Sequence, residues 1–474
     1  MKNKALLRIA LVAASALVGI SVPAVAQDAA PPVEQTQKQT PPAGGPPRPF
    51  VVPQKQTFTL PNGIAVTMVP YGTTPKVAMS VYVRAGNIDE KPDQVWLADI
   101  TGELMKEGTK TRSAAQVARE IAEMGGALEV TVGPDQTSFT SDVLTEFGPK
   151  AITLLGDVVQ NPALPGSELP RLKNDALRRL TIAKSQPNQI AMERFRRLLY
   201  GDHPYGRVFP TEQMLGKYAI EDVQRFYTDN FGAARTHIYV AGRFDPAAMR
   251  KAITDSFGKW KKGTAPLTLI PKPNLKRAID TFDRPGAQQS TLYVGLPVTD
   301  PSNPDYISLI VTNSLLGGSF GSRITSNIRE QKGYTYSPFS QLSSRYRDSY
   351  WVEVADVTTS VTGPSLKEIF YEIERLQAEP PSDDELTGIK NYLAGVFVLQ
   401  NSNRRGLIAQ LRYVDLHQLG DNYLNTYVQR IYAVKPADVQ TIAKKYIQPD
   451  KMALVVVGDQ QKIADQLKPY QPTQ

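Results

Sequence analysis

Two stretches of this chain repeat one another. DVQRFYTDNFGAARTHIYVAG runs from Asp222 to Gly242, and DVQTIAKKYIQPDKMALVVVG runs from Asp438 to Gly458. Both cover an offset of 20 and read as helix, turn, buried strand and closing glycine. Each stands at the end of a block of roughly 200 residues. A looser match pairs EIAEMGGALEV with NIREQKGYTYS and aligns Gly125 with Gly333. The simplest explanation of self-similarity at this period is two copies of one α+β domain, about 54–265 and 270–472. The Pro/Lys-rich segment GKWKKGTAPLTLIPKPNLKR joins them. A length of 474 residues gives each copy room for its own core.

The first copy can be read locally. TFTLPNGIAVTMVP alternates, turns at Asn62-Gly63 and alternates again, as a hairpin does. KVAMSVYVRAG is a further strand. A helix is expected over 93–107, then a second in SAAQVAREIAEMGG, capped by Ser113 and stopped by glycines. ALEVTVGPDQTSFTSDVL gives two strands, and long helices fill 147–200.

The N-terminus has the form of an export signal: Lys2, Lys4 and Arg8, an apolar run, then Ala24-Val25-Ala26. Cleavage is expected near Ala26, and the apolar run is shorter than the ~20 residues a spanning helix needs. No membrane insertion is expected. Residues 27–53, rich in Pro, Gln, Ala and Gly, read as a flexible tether. The chain has no cysteine, which excludes disulfides, a thiol nucleophile and thiolate metal sites. Export without disulfides suits a bacterial periplasm. The net charge of +8 falls to +5 once the three signal cations are removed. Its densest clusters, RLKNDALRRL and RFRRLLYGDHPYGR, read as solvated or partner-facing helix rather than a nucleic-acid surface.

Candidate chemistry is sparse. His203, His237 and His417 lack the helical partner spacing of a zinc site, so no metal is assigned to this chain. GGSFG, Gly317 to Gly321, matches the nucleophile pattern around Ser319, but helical periodicity precedes it where that motif needs a strand. In LADITGELMKEGT, Asp99 and Glu103 share one helical face, as metal ligands, acid/base groups or a wet surface would. In NIREQKGYTYSP, Arg329 lies in the last turn of a helix that Gly333 ends. Tyr334 and Tyr336 follow on one face of an extended segment. Such a pair can hold a peptide or simply support the fold.

Taken in order, FTLPNGIAVTMVP, VRAGNIDE, EGTKTRS, GDHPYGR, GGSFGSR and IREQKGYTYS resemble the pitrilysin/insulinase family, the inverted zincins, over nearly the whole chain after the signal. The resemblance implies two homologous domains, each an antiparallel-rich mixed sheet packed by helices, forming half of a clamshell. Active members carry H-x-x-E-H on the helix before that Gly-Thr. Here the matching positions are Asp99, Gly102 and Glu103, and the third ligand position falls near Leu180. The zinc set is therefore degenerate, and Asp99 and Glu103 are expected on a solvated or partner-facing surface. The family's Tyr seven residues after Arg is kept as Arg329 and Tyr336. By resemblance this pair binds substrate backbone and stabilises the tetrahedral intermediate. Gly317, Gly318, Ser319, Phe320 and Gly321 resemble the glycine-rich, substrate-touching segment of non-catalytic processing subunits.

The function this implies is the non-catalytic subunit of a heterodimeric periplasmic zinc peptidase. A separate H-x-x-E-H chain would hold the zinc and hydrolyse unfolded peptides small enough to be enclosed. The alternative is an inert peptide-binding or envelope assembly protein of the same fold. The two part on whether Arg329 and Tyr336 matter for turnover.

Overall fold

The computed structural model describes residues 50–274 and 276–471. The export signal and most of the tether read from the sequence lie outside the described residues. The tether's last residues, 50–53, are held: the Phe50 ring meets Phe397 edge-on at 5.0 Å, and Val52 N–H donates to Asn425 Oδ1 at 2.8 Å.

Eleven strands make two sheets. They are β1 (Gln56–Thr59), β2 (Ala65–Pro70), β3 (Lys76–Val83), β4 (Glu129–Val132), β5 (Thr137–Leu144), β6 (Thr236–Gly242), β7 (Ala278–Asp283), β8 (Gln289–Val298), β9 (Phe339–Arg345), β10 (Asp348–Thr358) and β11 (Ala453–Gly458). The first sheet runs β1-β2-β6-β3-β5-β4 and the second β7-β11-β8-β10-β9. Leaving out β1, the two orders match strand for strand. In each sheet one neighbouring pair is parallel, β2 with β6 and β7 with β11, and the others are antiparallel. The repeated segments hold equivalent places: helix Ile220–Asn230 feeds β6, and helix Pro436–Tyr446 feeds β11, each through one 3-10 turn. The looser match also holds, with Gly125 and Gly333 both left-handed at φ 77° and 65° where a helix ends before an edge strand.

The central strands are buried on both faces, so their side chains alternate between two cores rather than between core and water. In β11, Leu454 and Val456 face the helices of their own half, while Val455 and Val457 face Phe195 and Leu199. Those two residues belong to Pro187–Tyr200, a helix of the first half. The exchange is reciprocal. Helix Arg404–His417 of the second half sends Leu407, Ile408, Leu411 and Val414 into a core with Tyr239 and Ala241 of β6. Each sheet is thus closed by a helix of the other half, and the described residues form one body.

The helix expected over 93–107 is shorter, Leu97–Leu104. Trp96 is left-handed at φ 68°, so the helix cannot extend upstream, and the Glu90 carboxylate accepts Ala98 N–H at 2.9 Å to cap it. Helix Ala114–Glu123 begins as expected, with Ser113 Oγ accepting Gln116 N–H at 3.3 Å.

Candidate functional site

The short helix Leu97–Leu104 carries the three degenerate positions. Asp99 is not on a solvated face: it is half-buried, and Asn87 Nδ2 donates to its Oδ2 at 2.9 Å. Burial raises its pKa against that hydrogen bond and the nearby Arg179 guanidinium. The same Asn87 amide reaches Glu90 Oε1 at 3.2 Å, so one side chain bridges two carboxyl groups. Glu90 is almost wholly enclosed, and burial pushes its pKa up to about 8, with Asp99 adding to the rise and the Ala98 N–H opposing it.

Gly102 stands where the family's base stands, and a Cβ there would come within 2.5 Å of Val132 Cγ2 on β4. A glutamate at this position has no room without displacing the Val132 side chain. Glu103 is half-exposed and pairs with Lys106 one turn on. Leu180, at the third ligand position, is buried in the apolar core of the first half. Among the described residues no three His, Asp or Glu side chains are grouped to hold a metal ion. These residues do not fit a zinc ion: one carboxylate is committed to an amide, one position is backbone against valine, and one is leucine in the core.

The histidines have structural roles. His237 Nε2 lies 2.9 Å from Thr67 Oγ1 and its Nδ1 3.0 Å from Tyr239 OH, which donates in turn to Asp415 Oδ2 at 2.5 Å. Burial lowers its pKa to about 4, and Lys55 adds to the fall. His203 Nδ1 accepts Tyr205 N–H at 3.2 Å. His417 is buried beside Tyr413.

The second half holds an open cleft of about 430 Å³. Helix Tyr306–Asn313 continues as a wider π-helical turn, Ser314–Gly318, and a second π segment, Ser326–Gln331, follows the intervening loop. Such turns are rare and cluster at functional sites. Helix rather than strand therefore precedes Ser319, which removes the nucleophile geometry considered for GGSFG. Gly317, Gly318, Ser319 and Phe320 line the cleft, and Gly321 is not among its walls.

Arg329 and Tyr336 line the same cleft. Gly333 N–H donates to the Arg329 carbonyl at 3.1 Å and Tyr334 N–H to that of Ile328 at 2.8 Å, which turns the chain back past the arginine. The Arg329 guanidinium lies over the Phe320 ring at 4.2 Å and the Tyr336 ring at 5.3 Å. Its Nε is 3.2 Å from Glu330 Oε1. Tyr336 is 79% exposed and Phe320 73%.

Three features of the cleft escaped the sequence reading. Phe339 at the start of β9 and Tyr392 on helix Asp383–Gln400 complete its walls. Tyr392 is an exposed aromatic on a solvent face, which is the one local signal that could have found it. Behind the floor lies Glu353 of β10, fully enclosed, with neither carboxylate oxygen hydrogen-bonded among the described residues. Burial holds its pKa well above the usual carboxylate range.

Comparison with known proteins agrees with this geometry. Residues 66–209 match the model for Insulinase (Peptidase family M16), and residues 218–393 match that for the Peptidase M16 inactive domain. An uncharacterized zinc protease of Bacillus subtilis, YmxG, is 24% identical over 396 residues, 83% of this chain and 96% of its own length. One from Mycobacterium tuberculosis, Rv2782c, is 25% identical over 374 residues, 77% of this chain and 83% of its own. Among solved structures, the peptidase M16 inactive domain from Pseudomonas fluorescens superposes with a TM-score of 0.79 at 21% identity, covering 85% of this chain and 98% of that one. The periplasmic protease PqqL of Escherichia coli gives 0.74 at 16% identity, covering 86% of this chain and 46% of PqqL. The paired domain models and the duplicated sheet lead to one assignment: this chain belongs to the insulinase family of peptidases, M16.

Proposed function

We propose that this chain is the non-catalytic, peptide-holding subunit of a two-chain zinc peptidase of the periplasm. The observation that carries the reading is an asymmetry between its halves. The positions that bind zinc and activate water in relatives hold Asp99, Gly102, Glu103 and Leu180, which cannot do so, while Arg329 and Tyr336 stand together on an open cleft. A partner chain carrying H-x-x-E-H would supply the zinc and the water-activating base. This chain's part is to hold and polarise. The guanidinium donates to a peptide carbonyl, and the phenol donates to the oxygen on which charge builds. Each such donor is worth roughly 100- to 1000-fold in turnover.

The test is hydrolysis of a quenched peptide by four samples: this chain, a candidate H-x-x-E-H chain from the same organism, the two mixed, and the mixture with Arg329→Ala plus Tyr336→Phe. Activity confined to the wild-type mixture, lost by at least about 100-fold in the double variant, supports the split site. A partner fully active alone, with no effect of the double variant, overturns it and leaves the peptide-binding or assembly role.

A further inference from the structure

Of the five well-exposed aromatic side chains among the described residues, four surround the one cleft: Phe320, Tyr336, Phe339 and Tyr392. Tyr336 and Phe339 lie three apart in one segment leading into β9, while Phe320 comes from the glycine loop and Tyr392 from a separate helix, so packing brings three parts of the chain together. Exposed apolar surface concentrated in this way marks a place that is covered in use. The volume of about 430 Å³ suits one large side chain and a short length of backbone.

The charges say which side chain. No acidic residue lines the cleft. Its one fixed charge is Arg329, seated between Phe320 and Tyr336 and already using both ring faces as a cation would. Glu330 contacts the guanidinium from outside the lining, and Glu353 lies behind Gly317, fully enclosed and out of reach of a bound side chain, with its pKa raised by burial. A lysine or arginine side chain entering here meets a like charge and no counter-charge. A neutral aromatic or branched aliphatic side chain loses only water, while Arg329 remains available to the adjoining peptide carbonyl.

We infer that the cleft is a side-chain subsite that selects one bulky, uncharged side chain of an extended peptide and turns basic ones away. Phe339 and Tyr392 set the selectivity and Arg329 holds the backbone. This rests on the peptide-holding role proposed above, but it is tested on this chain without a partner.

The experiment uses fluorescein-labelled Gly/Ser peptides that differ at one central guest position: Phe, Leu, Ala, Lys or Asp. Binding to the full chain is read by anisotropy at low and high salt. Phe and Leu should bind about 10- to 100-fold tighter than Ala, the range expected for burying such a side chain. Lys should bind no better than Ala, and its disadvantage should shrink at high salt. Tyr392→Ala and Phe339→Ser, each with an unchanged melting temperature, should flatten the Phe/Ala ratio, while Arg329→Ala should weaken every peptide alike. Binding that ignores the guest residue, or favours Lys or Asp over Phe and Leu, overturns the subsite and leaves the peptide-holding role standing. No binding of any peptide by a chain with a normal melting transition overturns both.

Discussion

Glu90 carries a consequence for stability that its place in the chain does not announce. Its carboxyl caps Ala98 N–H at 2.9 Å, shares the Asn87 amide with Asp99, and titrates near pH 8 because burial disfavours its charged form. Unfolded, it titrates at its ordinary value near 4.5. The folded chain therefore binds this proton more tightly, and the stabilisation is fully present below about pH 4.5 and lost as pH rises through about 8. At 1.36 kcal/mol per unit the loss is roughly 3–5 kcal/mol, and Asp99, also raised, adds to it in the same direction. Glu90→Gln keeps an oxygen for Ala98 and removes the proton from the cycle. Melting temperature measured from about pH 5 to about pH 9 should fall more steeply for the wild type than for the variant, in which Asp99 and Glu353, also raised by burial, still titrate. An equal fall in both would assign the slope to other groups. The sequence singled out Asp99, Gly102 and Glu103 through the family resemblance, by their fixed count back from Gly108-Thr109. It could not single out Glu90, whose burial arises only when the preceding loop folds back over that helix. The Arg329–Tyr336 pair was legible in the same way, from a seven-residue spacing shared with the family, whereas Tyr392 joins the cleft from a separate helix through tertiary packing.

The glycine-rich element separates positions that look alike in the motif. A Cβ on Gly317 would lie 2.5 Å from Glu353 Oε2, 2.6 Å from Ser340 Oγ and 2.9 Å from Ser340 Cβ. Glu353 and Ser340 are buried on adjacent strands and have little room to yield, so Gly317→Ala forces the π turn off the sheet. Around Gly321 there is nothing within 4 Å, and its φ is not left-handed. Gly317→Ala should cost about 1–3 kcal/mol and weaken peptide binding, and Gly321→Ala should be neutral or stabilising by a few tenths of a kcal/mol. Urea midpoints for the two variants check the contrast, and equal midpoints would show that the turn does not depend on close contact with β9 and β10. Helix, loop and helix were readable from periodicity here. The π widening was not, because periodicity alone does not separate an α turn from a π turn.

At the scale of the whole molecule the repeat and the helix exchange act against each other. Duplication gives two sheets of one topology, which suggests two domains that could stand apart. The exchange removes that independence: Phe195 from the first half packs against Tyr293 at 5.8 Å and Tyr350 at 5.5 Å in the second sheet. Polar ties reinforce it, with Tyr293 OH donating to Asn188 Oδ1 at 2.7 Å, Arg194 bonded to Asp280 at 2.6 Å and Arg404 to Asp142 at 3.0 Å. A helix over Pro187–Tyr200 was legible in the sequence, but its RFRRLLY cluster read as solvated or partner-facing, whereas Phe195, Leu199 and Tyr200 are buried against the second sheet. The dense arginines hid that stripe, and a helical period says that a face is buried and not against what. Three tryptophans allow a test, because Trp96 and Trp260 belong to the first half and Trp351 alone to the second. Unfolding in urea should give one transition, with Trp351 and the first-half tryptophans reporting the same midpoint in single-tryptophan variants. Phe195→Ala leaves a cavity at the exchanged contact and should cost about 3–5 kcal/mol. If the halves unfold as one body, both reporters move to the same lower midpoint. If only Trp351 moves, the second sheet opens first, and the exchanged helix is a cover for it rather than a lock between the halves.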